Sequence, residues 1–201
     1  MRRLAFSLAL LVAGAVPGLA FDADTEAVLD RLKTGKLVHI DDIATLMMAS
    51  ERWCYFEQDG ECSWSDIYLS IEGTDATYEI SNPWTEEIDI SFVDHGELRD
   101  NRYICEIGFD WVPSVRAYER EDGDAIEGRA LEALRQEIAS TITTADNSDC
   151  FDYVYRGADA ETEIVTLLQR QYVDGETDPA NDVEVKLYFD KDAAEALGWY
   201  W

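Results

Sequence analysis

Apolar residues recur along the chain at two periods, and the change of period divides it. Near the N-terminus Val28, Leu29 and Leu32 share one face of a helix over 24–34, with Asp24 placed to cap it and Gly35 to end it. Ile43, Leu46 and Met47 repeat the pattern over 41–50, capped by Asp41. From Arg52 the spacing becomes two. An aromatic-rich run to Glu57 meets a turn signal at Gln58-Asp59-Gly60. The chain then returns through Cys62 to Ile71, with Ile67, Leu69 and Ile71 on one face. Tyr78 and Ile80 alternate up to Pro83, and Ile88, Ile90 and Phe92 alternate with Asp89 and Ser91. Asp94-His95-Gly96 reads as a loop. Tyr103, Cys105, Ile107, Phe109 and Trp111 hold every second position until Pro113.

Helical spacing returns over 124–142. Leu131, Leu134, Ile138 and Ile142 form its stripe, and Asp124 with Glu127 makes a capping box. Strands resume at 150–155 and at 183–189, where Val183, Val185, Leu187 and Phe189 alternate. The segment 162–173 fits either period. The turn-rich Asp174–Asp182 after it favours a strand hairpinned to 183–189. The expected fold class is α+β: an antiparallel sheet of roughly six to seven strands, one long helix packed on it, and two short N-terminal helices.

The first twenty residues stand apart from this pattern. Arg2 and Arg3 precede an apolar run from Leu4 to Val12, and Gly18-Leu19-Ala20 ends the segment. That is the order of a secretory signal peptide, cleaved after Ala20. A spanning helix needs about 20 consecutive apolar residues, and this run breaks at Gly14 and Pro17. The expected organisation is a leader over 1–20 and a single α+β domain over 21–201. Its expected location is periplasmic or secreted, with no membrane insertion after cleavage.

Charge narrows the partners. Past residue 20 the chain keeps 14 of its 16 basic residues and all 43 acidic ones, a formal charge of −29. The acids are spread along the chain, and residues 51–100 hold 14 of them against only Arg52 and Arg99. Such a field repels phosphate backbones, which argues against nucleic acid, and it attracts basic partners. Solubility alone also accounts for it.

Cys54, Cys62, Cys105 and Cys150 are an even set, which in an exported chain reads as two disulfides. Cys54–Cys62 suits a bridge across a short hairpin and leaves Cys105–Cys150. Without a C-x₂-C pair, zinc is the weaker use of these residues.

Catalytic signals are sparse. His39 and His95 are the only histidines, and no G-x-S-x-G is present. His95 beside Asp94 is an acid–base pair by residue type, but neighbouring side chains rarely aim at one point. Asp122-Gly123-Asp124 with Glu127, and Asp178 with Asn181, Asp182 and Glu184, supply oxygen ligands without the spacing of a calcium loop. No metal or cofactor is therefore expected. The terminal Gly198-Trp199-Tyr200-Trp201 looks like the end of an outer-membrane barrel, but the helix over 124–142 and the short, acid-flanked strands argue against one.

These features lead to a non-enzymatic extracytoplasmic protein that binds a basic macromolecule, as an inhibitor, immunity-type or accessory subunit would. Glu86, Glu87 and Asp89 are its expected partner face. The alternative is a periplasmic or secreted hydrolase working through Asp and Glu carboxylates, with or without calcium. A deep pocket with two converging carboxylates of raised pKa would favour the enzyme, and a flat acidic face the binder.

Overall fold

Two helices precede the first strand. The computed structural model describes residues 21–108, 111–141 and 149–201, so the leader over 1–20, Phe109 and Ile142 lie outside it. Helix α1 spans Ala23–Leu29 and α2 spans Ile40–Ala49. Their caps each sit two residues earlier than expected: Asp22 accepts from the Asp24 and Thr25 N–H groups, and His39 Nδ1 accepts from the Asp41 N–H. Both side chains satisfy N–H groups that a helix start leaves without partners.

The chain then forms β1 (Arg52–Tyr55), β2 (Glu61–Cys62), β3 (Trp64–Glu72), β4 (Asp75–Pro83), β5 (Ile88–Arg99) and β6 (Tyr103–Glu106). After a 3₁₀ turn at Val112–Ser114 come β7 (Arg116–Glu119), β8 (Ala125–Ile126) and α3 (Gly128–Thr141). Strands β9 (Cys150–Asp159), β10 (Ile164–Val173), β11 (Glu176–Thr177) and β12 (Val183–Tyr188) follow. Helix α4 (Lys191–Glu195) and β13 (Gly198–Trp199) end the chain.

This corrects the expected fold class. Eleven strands lie in one antiparallel sheet among the described residues, with four short helices, in place of six to seven strands under one long helix. The sheet also closes. Each of β1, β3, β4, β5, β6, β9, β10 and β12 pairs antiparallel with the next, and β12 returns to β1 with Arg52 opposite Tyr188 and Tyr55 opposite Val185. The result is an eight-stranded up-and-down barrel, a closure that removes exposed sheet edges. Helix α3 starts at Gly128 because Ala125–Ile126 pairs with β7, so Asp124 and Glu127 form no capping box. It packs its Leu134 and Ile138 on Ile90, Phe92, Val115 and Ala117, a small second core beside the barrel.

Asp94-His95-Gly96 is not a loop but the middle of β5, paired with Ala76–Tyr78 of β4. Gly96 is there because a β-carbon would meet Ile104 Cγ1 at 2.9 Å, the close approach that glycine in a strand permits. The nine-residue alternation from Tyr103 stops at Glu106, and the chain then leaves the barrel.

Candidate functional site

Partners directly opposite each other in a ladder share a face, so the registers fix what points inward. One end of the lumen is filled. Trp53, Val165, Leu167, Val185 and Leu187 are wholly buried there, and Ile43, Leu46 and Met47 of α2 join the same core. The residue pattern of α2 explains this, since its three expected inward residues plug the end where β1 begins and β12 finishes.

Toward the other end the inward positions turn polar. Asp66 on β3 faces Ile80 on β4, Tyr78 faces Asp94 on β5, and Gly96 faces Glu106 on β6. Gln169 and Gln171 on β10 face Tyr153 and Phe151 on β9. These side chains leave a cavity of about 270 Å³, whose wall includes Tyr55, Trp64, Asp66, Tyr78, Glu106 and Tyr153. An eight-stranded barrel is just wide enough to be filled by side chains or to hold one small ligand. This barrel does the first at one end and has room for the second at the other.

Asp66 is the centre of the cup. Its residue is only 6% exposed, and Oδ2 accepts from the Tyr55 hydroxyl at 2.8 Å. Oδ1 is buried without a hydrogen-bond partner among the described residues. Burial pushes the Asp66 carboxyl up to about 7, against the Tyr55 bond that lowers it and with Glu106 and Asp94 adding to the rise. Glu106 is raised to about 7 as well, first by burial and then by Asp149 and Asp94. Burial also raises Asp94. The phenols of Tyr55, Tyr68, Tyr78 and Tyr153 are pushed up chiefly by desolvation, so they stay neutral. Gln171 donates to Asp149 at 2.6 Å and Gln169 to the Tyr153 hydroxyl at 3.1 Å. Tyr55 and Trp64 stack at 4.8 Å between ring centres. Among the described residues no Lys, Arg or His is part of the wall.

The residues singled out from sequence lie elsewhere. Glu86 and Glu87 are exposed in the bend before β5, while Asp89 is half-buried on β5 with Oδ1 3.1 Å from Arg120 Nε. His95 points away from Asp94, its Nδ1 3.2 Å from Thr77 Oγ1, because consecutive strand residues face opposite sides. Asp122 Oδ1 accepts from Asp124 N, and Asp178 Oδ1 from Ala180 N, so each shapes its own turn. Among the described residues no three His, Cys, Asp or Glu side chains are grouped to hold a metal ion.

The disulfides are Cys54–Cys62 and Cys105–Cys150. The first, with Tyr188, Ala194 and Leu197, forms a satellite core outside the barrel. There β13 pairs with β2, and Tyr200 donates to the Phe56 carbonyl at 2.8 Å. No described helix is long and apolar enough to cross a membrane. The barrel's outer positions include the charged Glu79, Glu97, Arg170 and Lys186, while its lumen is largely apolar at one end.

Sequence reading missed Asp66 and Glu106 because it assigned the wrong faces. Ile67 and Leu69 were expected to point inward, yet Trp64, Asp66 and Tyr68 do. A register shift between Tyr68 and Ser70 then turns Ile71 inward. On β6 the inward residues are Ile104 and Glu106, not Tyr103 and Cys105. The sign that was available is a tyrosine or acid on strand after strand: Tyr55, Asp66, Tyr78, Asp94, Glu106 and Tyr153.

No protein-family model matches the chain, and no curated protein matches it in sequence.

Proposed function

We propose that this is an exported, non-enzymatic protein that binds one small molecule in the polar half of its barrel lumen. The observation that carries the reading is a closed barrel whose cup is lined by convergent polar groups, one of them Asp66 with a buried oxygen unpartnered. A concave site with a few placed polar groups among aromatic walls is how small ligands are held. The two disulfides and the leader-like first twenty residues support export to an oxidising compartment, periplasmic or outside the cell. The acidic surface, first read as a face for a basic macromolecule, would concentrate cations near the cup.

A second reading, a carboxylate hydrolase, draws on Asp66 and Glu106, both inward and both raised. Acid–base pairs work when their environments push the two pKa values apart. Burial is the first cause of the rise in both, and raised carboxylates sharing one pocket are the feature that favours an enzyme, so turnover is tested beside binding.

The test is native mass spectrometry of the exported protein with panels of small amines, sugars and carboxylic acids. The expected result is a 1:1 adduct with members of one panel, lost when Gln171→Trp fills the cup while the fold persists by circular dichroism. Adducts that survive in the folded Gln171→Trp protein, or none from any panel, would sink the lumen as the site. Turnover of a sugar substrate, abolished by either Asp66→Asn or Glu106→Gln, would favour the hydrolase.

A further inference from the structure

The cup's chemistry is specific about charge and about donors. We propose that the lumen binds a primary ammonium ion, either a compact amine or the amino end of one, with Asp66 as its counter-ion and the surrounding rings as its cage. This rests on the lumen being the binding site.

Three observations converge on that ligand. The first is the free lone pairs of Asp66 Oδ1, on the inward face of β3 and buried without a partner. A buried acceptor left unmade carries the full desolvation cost of that group, more when it is charged. An N–H or O–H donor, or a cation, satisfies it. The second is the sign of the wall, which among the described residues offers Asp66, Glu106 and Asp149 and no cationic side chain. An anion entering there meets repulsion in a low-dielectric space, whereas a cation is drawn in. The third is the ring set of Tyr55, Trp64, Tyr68, Tyr78, Phe151 and Tyr153 in the same wall. Aromatic faces hold organic ammonium ions, with Trp and Tyr the best of them.

A divalent metal fits less well, since it needs several oxygen ligands at one point and no such grouping is present among the described residues. A quaternary ammonium suits the rings but brings no N–H for Oδ1. A primary ammonium supplies both charge and donors, and the amides of Gln169 and Gln171 are at hand for the rest of the molecule.

The groups facing Asp66 set its response to pH. They are Tyr55 on β1, Tyr68 on β3, Tyr78 on β4, Asp94 on β5, Glu106 on β6 and Tyr153 on β9, with Asp149 just before β9. Strands β10 and β12 contribute the neutral Gln169, Gln171 and Val183. Burial pushes the phenols further from ionising, so Asp66 and Glu106 are the groups whose charge changes near pH 7. Affinity for an amine therefore rises as pH climbs through about 7 and the buried acids lose their protons.

Isothermal titration of the full exported protein at pH 8 and low ionic strength tests this. The probes are benzylammonium, its neutral isostere benzyl alcohol, benzoate, tetramethylammonium and calcium chloride. Benzylammonium is expected to bind at least about tenfold more tightly than benzyl alcohol, as a charge-assisted hydrogen bond gives. Tetramethylammonium should be weaker than benzylammonium and benzoate silent. Asp66→Asn, which keeps an acceptor for Tyr55, is expected to erase the advantage over benzyl alcohol. If that variant does not fold, the wild-type protein still decides: affinity for benzylammonium should climb between pH 5.5 and 8, and a flat profile overturns the proposal. Equal binding of benzyl alcohol, or tighter binding of calcium, overturns the ammonium assignment while leaving a ligand-binding lumen in place. No binding by any probe, benzyl alcohol and benzoate included, removes both.

Discussion

Asp66 and Glu106 carry a cost that appears in the pH dependence of the fold. Their raised pKa values mean that the folded protein holds two protons that the unfolded chain has already released above about pH 4.5. Stability is linked to protons bound in each state, so it falls as pH rises from about 4.5 to about 7, by up to about 1.4 kcal/mol per pH unit for each group. Glu57 works the other way. Its hydrogen bond from Lys186 lowers its pKa, and that contribution is lost only as pH falls through the lowered value. The double variant Asp66→Asn/Glu106→Gln should therefore melt higher than wild type at pH 8, with a shallower decline between pH 5 and 8. Melting curves at four pH values check this, and parallel declines would show that the two acids are not protonated in the fold. Asp152 makes the contrast. It is wholly buried but clamped by Arg102 at 2.6 Å and Arg170 at 2.7 Å, a compensated charge on the outer face of β9. The sequence gives the two aspartates the same type and a similar strand setting. Only the register shows that one meets two arginines and the other a cavity.

Strands were more legible than the way they join. The alternation in 183–189 and 88–92 and the turn at Gln58-Asp59-Gly60 correspond to β12, the first half of β5, and the start of the return to β3. Faces were misread where the lumen is polar, because an inward Asp66 or Glu106 breaks the rule that the apolar parity is the buried one. Seam strength was not legible either. Among the described residues strands β6 and β9 share only the pairs Ile104–Phe151 and Cys105–Cys150, with one further bond from Glu106 N to the Asp149 carbonyl at 2.8 Å. The Cys105–Cys150 disulfide therefore staples the thinnest seam of the ring, and it closes a loop of 45 residues against 8 for Cys54–Cys62. Loop-closure entropy predicts losses of about 4 and about 2.5 kcal/mol when each bridge is removed. Urea denaturation of Cys105→Ala/Cys150→Ala and Cys54→Ala/Cys62→Ala proteins should show that order. The reverse order would mean that the satellite core under α4, not the seam, limits the fold.

At the scale of the molecule, closure is the feature that sequence conceals. Seven of the eight pairings join barrel strands that are consecutive in chain order, but β1–β12 brings Arg52 to Tyr188 across most of the chain, and no local pattern encodes a partner so distant. Charge, by contrast, was fully legible, and it acts on fold and ligand in opposite directions. Eight of the 14 basic residues past residue 20 already sit in ion pairs with acids. The surplus acids are left facing one another, and self-repulsion of that kind weakens a compact state. Salt shortens the reach of the repulsion from about 30 Å at 0.01 M to about 8 Å at 0.15 M. Raising sodium chloride over that interval should therefore raise the melting temperature. The same screening removes the long-range attraction for a cation, so the association rate with benzylammonium should fall over the same interval. The buried contact at Asp66 is screened much less, and the dissociation rate should barely change. Stopped-flow fluorescence from the wall tryptophan and tyrosines, run beside melting curves in matched buffers, reads both effects. A melting temperature that drops with salt would mean that the ion pairs outweigh the surplus acids. An association rate indifferent to salt would mean that the outer charge does not serve the lumen.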